Sequence, residues 1–305
     1  MAVLLHHSGE RRVTLSSPCL VGRSSACALR IDDRQVSGEH ARLVWTGVQW
    51  EVRDLGSRNG TWVDGRRLVA GNPEPLAQGS RIAFGRESEA WLMVDAEAPT
   101  LMARHEASGE LLVAMGGLLA LPNADTPVLV VIEETAGIWM IEQGDRFEAA
   151  TDQQLLDVGG EAWRLLIPWV HETTLGFDAS LPSGDDLALR FVVSRDQEHV
   201  ELIVRHAGGE VAMTPRVHFF VLLLLARKRL EDRGRALTKQ EQGWVYVEEL
   251  IEGLRTDAER LNVDVYRIRR QFTEAGIPGA ARLIERRRLT RQLRIATDML
   301  EVVQN

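Results

Sequence analysis

The chain has 305 residues, 45% of them hydrophobic and 26% charged, a size and balance ordinary for a soluble globular protein of two or three domains. Two cysteines, Cys19 and Cys27, are too few for a disulfide framework or a cysteine-rich zinc site, and the start Met-Ala-Val-Leu-Leu-His-His-Ser has too short an apolar run for a signal peptide. The longest later apolar run, Phe219 to Ala226, is far below membrane-spanning length, so the expectation is a cytoplasmic protein with no membrane partner.

The net charge of −8 is unevenly spread: +1 over residues 1–95, −13 over 96–186 and +4 over 187–305. A neutral head, an acidic middle and a basic tail point to different partners for each part. Residues 96–109 and 172–186 mix Ala, Pro, Ser and Gly without periodicity and read as linkers. They leave three parts: 1–95, 110–171 and 187–305.

The first part reads as strands throughout: Arg12 to Leu15, Leu29 to Ile31, Ala41 to Trp45, Gln49 to Arg53, Thr61 to Val63, Arg81 to Phe84 and Ala90 to Val94. Short β-prone runs punctuated by Gly, Asp and Ser argue a sandwich. Between the runs lie three polar patches: Gly22-Arg23, Ser37-Gly38-Glu39-His40 and Ser57-Arg58-Asn59-Gly60-Thr61. Their order and spacing resemble the forkhead-associated (FHA) domain, a β-sandwich whose loops hold phosphothreonine. The chemistry suits that ligand. A phosphate of nearly two negative charges needs a guanidinium, small hydroxyl donors and free N–H groups converging from rigid loops. Arg23 is the first choice for the phosphate, Ser37 adds a hydroxyl, and Arg58 adds a charge or a backbone donor. Asn59 offers a donor and an acceptor to the ligand's main chain. By resemblance Gly22, His40 and Gly60 are structural. The resemblance implies a phosphothreonine-containing partner, a Ser/Thr kinase or its substrate.

The middle part, 110–171, reads as a small β-rich domain. Val128 to Glu133 and Gly137 to Glu142 form a hairpin about Glu134-Thr135-Ala136, and Trp139 and Trp163 are core residues. It resembles the later strands of a degenerate second FHA-like fold without any phosphate-binding patch. In the following linker, His171-Glu172-Thr173-Thr174 resembles the Glu-Thr-Thr phosphorylation sites of some bacterial FHA regulators, which makes Thr173 and Thr174 candidate phosphosites.

The third part changes character. Leu187 to Val193, Val200 to Arg205 and Glu210 to Met213 are strands; Thr214-Pro215 opens a helix that ends by Gly234. A second helix spans Val247 to Leu254. A third begins at the capping pattern Thr256-Asp257-Ala258-Glu259 and stops before Gly276-Ile277-Pro278. Two closing strands follow, Arg282 to Arg286 and Arg291 to Ala296. A strand platform, three helices and a terminal hairpin resemble an OmpR-type winged helix, carried by "VEELIEGL", "LNVDVYRIRRQF" and "LIERRRLTRQLRI". The expected fold class is therefore multidomain: an all-β sandwich, a small β-rich domain and a C-terminal α+β winged helix.

Period arithmetic places Leu261, Val265, Ile268 and Phe272 on the inner face of the third helix. Arg260, Tyr266, Arg267 and Arg270 point away, flanked by Asn262, and suit a DNA major groove. Arg287, Arg288 and Arg291 at the wing suit phosphates. Double-stranded DNA is the partner this implies. The two modules occur together, in another order, in FHA-containing regulators of the SARP type. The rival expectation is an adaptor that binds no DNA and uses the C-terminal domain to dock protein. No GxxxxGK[ST], GxSxG or HExxH pattern is present, so no enzyme activity, cofactor or metal is expected.

Overall fold

A computed structural model describes residues 2–135, 137–144, 146–168, 186–287 and 289–305. The chain forms two compact units. The first contains the N-terminal segment through Val113 together with Thr151–Leu156; the second contains Ala114–Ala150 and the C-terminal segment to Asn305.

The first unit is built on two facing sheets. In one, the strand order is Arg12–Thr14, Val3–His6, Ala90–Asp95, Arg81–Phe84, Thr61–Val63, Arg66–Arg67. In the other it is Leu29–Arg30, Cys19–Gly22, Ala41–Trp45, Trp50–Asp54, Pro73–Leu76. Period-2 patterning drives the pairing. In Trp50–Asp54 the first, third and fifth side chains are buried, and across the ladder Leu43 faces Val52. Leu4, Val21, Leu43, Trp50, Ile82 and Met93 fill the space between the sheets. Each such fully buried aliphatic side chain contributes about 1.5–3 kcal/mol. Pro73–Leu76 sits at a sheet edge, where a proline's missing N–H costs no ladder bond.

The segment expected to link the first two parts is not all irregular. Met102–His105 is a strand that pairs with Leu111–Val113 on one side and, through Met102↔Leu166 and His105↔Trp163, with a later strand on the other. The middle part, expected as a domain of its own, is instead divided between the two units. Trp139 and Trp163 are both buried. The second expected linker lies almost wholly outside the described residues.

In the second unit, Leu118–Leu121, Leu129–Thr135, Ile138–Gln143 and Arg146–Ala149 form a four-stranded antiparallel meander. A separate platform has the order Gly209–Met213, Val200–His206, Ala188–Val193, Leu300–Gln304, the last strand pairing in parallel. Three helices follow the platform's first three strands: α1 (Phe219–Gly234), α2 (Val247–Leu254) and α3 (Ala258–Glu274). The short strand Val245–Tyr246 lies between α1 and α2, and the hairpin Ile284–Arg287 with Gln292–Ile295 comes after α3; together they make a three-stranded sheet.

Helix α1 starts after His218 rather than at Thr214, whose carbonyl accepts a bond from Gln271 Nε2 at 2.8 Å. Asp257, not Thr256, caps α3 by accepting from the Arg260 N–H at 2.7 Å. The stripe Leu261, Val265, Ile268 and Phe272 packs against Phe219, Leu222 and Leu250 in one core. Among the described residues no helix is long and apolar enough to cross a membrane.

Candidate functional site

At one end of the sandwich, three loops are stitched together by backbone and short side-chain bonds. The loop after Cys19–Gly22 joins the loop before Ala41–Trp45 through Arg23 N–H to the Ser37 carbonyl, 2.9 Å, and Ser24 N–H to the Gly38 carbonyl, 3.0 Å. Such close approach needs a glycine at 22, because a Cβ there would lie 2.2 Å from the Gly38 carbonyl oxygen. The third loop arrives on the same residue: the Arg58 N–H donates to Ser37 Oγ at 3.2 Å. Asn59 Nδ2 donates to the Gln35 carbonyl at 2.7 Å, which fixes its amide and leaves Oδ1 to accept from elsewhere. Ser37 is thus a junction on which all three loops converge.

His40 is fully buried beneath that junction. Its Nδ1 accepts from the Ser37 N–H at 3.0 Å, so the ring proton sits on Nε2, which lies 3.0 Å from the Gly60 carbonyl oxygen and donates to it. Gly60 has φ of 92°, a left-handed conformation that a side chain would strain, and a Cβ there would press on the Arg67 guanidinium. Residues that sequence reasoning passed over complete the frame. The buried Asp54 carboxylate accepts from Gly56 N–H, Ser57 N–H, Ser57 Oγ and Thr61 Oγ1 at 2.6–2.9 Å. Burial alone would raise its pKa, but the bonds from Ser57 and Thr61 outweigh it and hold the carboxyl below its ordinary range. The signal was present in Asp54-Leu55-Gly56-Ser57, an acid two residues before a glycine, which is Asx-turn chemistry.

Arg23 and Arg58 are exposed, and among the described residues no hydrogen bond or ion pair engages either guanidinium. Ser37 and Asn59 are half-buried beside them. The three loops thus carry two exposed guanidiniums without a partner among the described residues, one hydroxyl and one amide oxygen, on a backbone already tied down. Groups of those kinds are the ones that hold a tetrahedral oxyanion.

The His40 linkage carries a pH signature. Burial pushes its imidazole below the ordinary value of 6.5. A histidine that resists protonation when folded gives stability that is present above the unfolded pKa and is lost as pH falls through the window beneath it. The stability of the first unit, followed at Trp50, should fall below about pH 6.5 by at most about 1.4 kcal/mol per pH unit. His40→Gln should flatten that slope; an unchanged slope would remove His40 from the account.

The C-terminal residues expected to meet DNA have different surroundings. Tyr266, expected to point outward, is buried at 4% exposure among Leu118, Ala120, Val130, Ile132 and Met140 of the meander. Asn262 accepts from Arg286 Nη2 at 2.7 Å, and its Nδ2 lies 3.4 Å from the Gly144 carbonyl. Arg270 bonds Glu274 at 2.7 Å and the Ala124 carbonyl at 2.8 Å, with Asp125 at 3.3 Å. The part of the α3 face that carries Asn262, Tyr266 and Arg270 is therefore packed on the chain's own sheet, whereas Arg260 and Arg267 stay at the surface. The physical reason is twofold: the meander's apolar side needs a cover, and Glu142 supplies a counter-charge. Its carboxylate lies 2.7 Å from Arg269 Nη1 and 3.2 Å from Arg286 Nε. Burial alone would raise the Glu142 pKa, yet the two guanidiniums prevail and keep it ionised.

Arg260 and Arg267 flank Asp264 at 3.8 and 3.5 Å. Arg287 lies over the Trp244 ring at 4.1 Å, and Arg291 pairs with Glu248 at 2.8 Å. Arg288, Thr173 and Thr174 lie outside the described residues.

Residues 19–85 match the family model described as FHA domain, so an FHA domain lies near the N-terminus. The FHA domain-containing protein FhaB of Mycobacterium tuberculosis is 40% identical over 72 residues, 23% of this chain and 46% of that protein. Protein phosphatase 2C 70 of Arabidopsis thaliana is 30% identical over 106 residues, 32% of this chain and 18% of that protein. The chain thus spans less than half the length of either relative. A solved structure of Mycobacterium tuberculosis EmbR in complex with a low-affinity phosphopeptide is similar at 25% identity and a TM-score of 0.29, over 32% of this chain and 25% of that one.

Proposed function

We propose that the FHA domain binds phosphothreonine on a partner protein, a Ser/Thr kinase or its substrate, and that the chain is a non-catalytic reader of that mark in a signalling system. The observation that carries this reading is the junction at Ser37, which gathers the loops of Arg23, Arg58 and Asn59 while both guanidiniums stay uncommitted. The test is a peptide array containing threonine, phosphothreonine and phosphoserine forms of the same sequences, probed with the full chain. Retention of phosphothreonine forms alone is the expected result. Equal retention of unphosphorylated forms would end the proposal.

The output of the second unit has two readings. Its order of helix, short strand, two helices and hairpin supports a winged helix, and with it a transcriptional regulator that binds promoter DNA. The packing of Tyr266, Asn262, Arg269 and Arg270 against the meander favours the other reading, an adaptor whose C-terminal domain docks protein. A salt series with duplex DNA and the full chain separates them: steeply salt-weakened binding supports the regulator, and no binding at low salt supports the adaptor.

A further inference from the structure

The strand Val3–His6 runs antiparallel to Ala90–Asp95, with His6 opposite Trp91. Just past its end the His7 N–H donates to the Ala90 carbonyl at 2.9 Å. The ladder therefore sets two successive imidazoles beside Glu89, which immediately precedes the partner strand. His6 Nε2 lies 3.1 Å from His7 Nδ1 and 3.3 Å from Glu89 Oε2, and His7 Nδ1 lies 3.8 Å from the same oxygen.

Those separations carry chemical meaning. Nitrogen and oxygen ligands about 2.0–2.1 Å from a tetrahedral ion stand about 3.3–3.4 Å from one another. The three observed edges bracket that value, so one ion could reach all three atoms with little movement. The His6 ring is also held for the task. Its other nitrogen lies 3.0 Å from Ser8 Oγ, and the ring packs edge-on against Trp91 at 4.9 Å between centroids. A hydrogen bond to the distal nitrogen of a ligating histidine fixes its orientation and tautomer.

We propose that His6, His7 and Glu89 form a binding site for a divalent transition-metal ion, with zinc the best match to two imidazoles and a carboxylate. A cavity of about 260 Å³, lined by His6, Glu89, Asp32, Asp33, Arg11 and Trp91, opens beside the triad and leaves room for water or an outside ligand in the fourth position. Arg11 is the opposing charge in that wall. Its guanidinium is drawn aside, donating to the Arg30 carbonyl at 2.7 Å and lying over the Trp91 ring at 5.3 Å. The triad joins the end of Val3–His6 to the residue before Ala90–Asp95, so an occupied site would clamp those two strands together. None of its three ligand side chains is a cysteine or belongs to the loops around Ser37, although Asp32 and Asp33 of the cavity wall lie in the loop before Ala41–Trp45.

The experiment uses the full chain stripped with a chelator, titrated with zinc by calorimetry and with cobalt by visible absorption, where a tetrahedral site gives a distinctive ligand-field spectrum. Wild type should take up one tightly held ion. His7→Ala, at an exposed ring, and Glu89→Gln should each weaken binding at least about tenfold, and the double variant should abolish the cobalt bands. His6 is left in place because its ring packs on Trp91. Thermal unfolding in the absence of metal verifies that both variants are folded. An undiminished zinc affinity in the double variant, or no zinc uptake by wild type, would overturn the assignment. Neither outcome touches the phosphothreonine reading, whose residues lie elsewhere.

Discussion

Arg23→Ala should cut the affinity of the full chain for a phosphothreonine peptide by about 30- to 150-fold, the equivalent of about 2–3 kcal/mol for a lost charge-assisted contact. Three features of the loop set this magnitude. Arg23 follows the glycine that lets two loops touch, its own N–H is spent on the Ser37 carbonyl, and its guanidinium has no partner among the described residues. Removing the side chain therefore deletes ligand contact without disturbing the loop. Arg23→Lys should recover part of the loss, because an ammonium keeps the charge but cannot grip two oxygens as a planar fork does. Isothermal titration with one peptide and three proteins is sufficient. Equal affinity for wild type and Arg23→Ala would show that the phosphate, if bound, sits elsewhere.

The second large effect is on stability. Glu142→Ala should cost the second unit about 3–5 kcal/mol, since it strips the counter-charge from an Arg269 side chain that is 1% exposed. Pairing the change with Arg269→Met should restore part of the loss, because the buried guanidinium that the lost carboxylate neutralised is then gone. Urea denaturation of the single and double variants measures the difference. A loss below about 1 kcal/mol in the single variant would mean that Arg269 finds another partner or reaches water.

Much of the sandwich was legible because period-2 patterning and turn residues are local signals. Ala41–Trp45, Thr61–Val63 and Arg81–Phe84 fall where the pattern put them. Four strands of the two sheets escaped, Val3–His6, Cys19–Gly22, Arg66–Arg67 and Pro73–Leu76, and for two of them the reason is plain. Val3–His6 hides in a continuous apolar start with no alternation, and Pro73–Leu76 carries two prolines that argue against a strand unless it lies at an edge. In the second unit α2 and the inner stripe of α3 were readable from spacing alone. The burial of Tyr266 and Arg269 was not. Helical periodicity finds the most apolar face, and α3 has two packed faces, the second defined by a sheet more than a hundred residues earlier. A carboxylate so distant in sequence leaves no mark on the helix it neutralises.

The loop residues of the candidate site could be picked out singly, yet their connections could not. That Ser37 serves as a common acceptor, or that Asn59 reaches the Gln35 carbonyl, depends on how far apart the loops stand. That spacing is set by sheet geometry and by the missing Cβ at Gly22.

The meander's membership in the second unit has a practical outcome for dissection. A shortened protein beginning near Leu187 would seem a natural way to isolate the helical half, but it would discard the strands that sheathe Tyr266 and Arg269. Such a truncation would display an apolar and cationic helix face that the intact molecule keeps covered, and its appetite for nucleic acid would say little about the parent. Any deletion study has to carry residues 114–150 along with the tail.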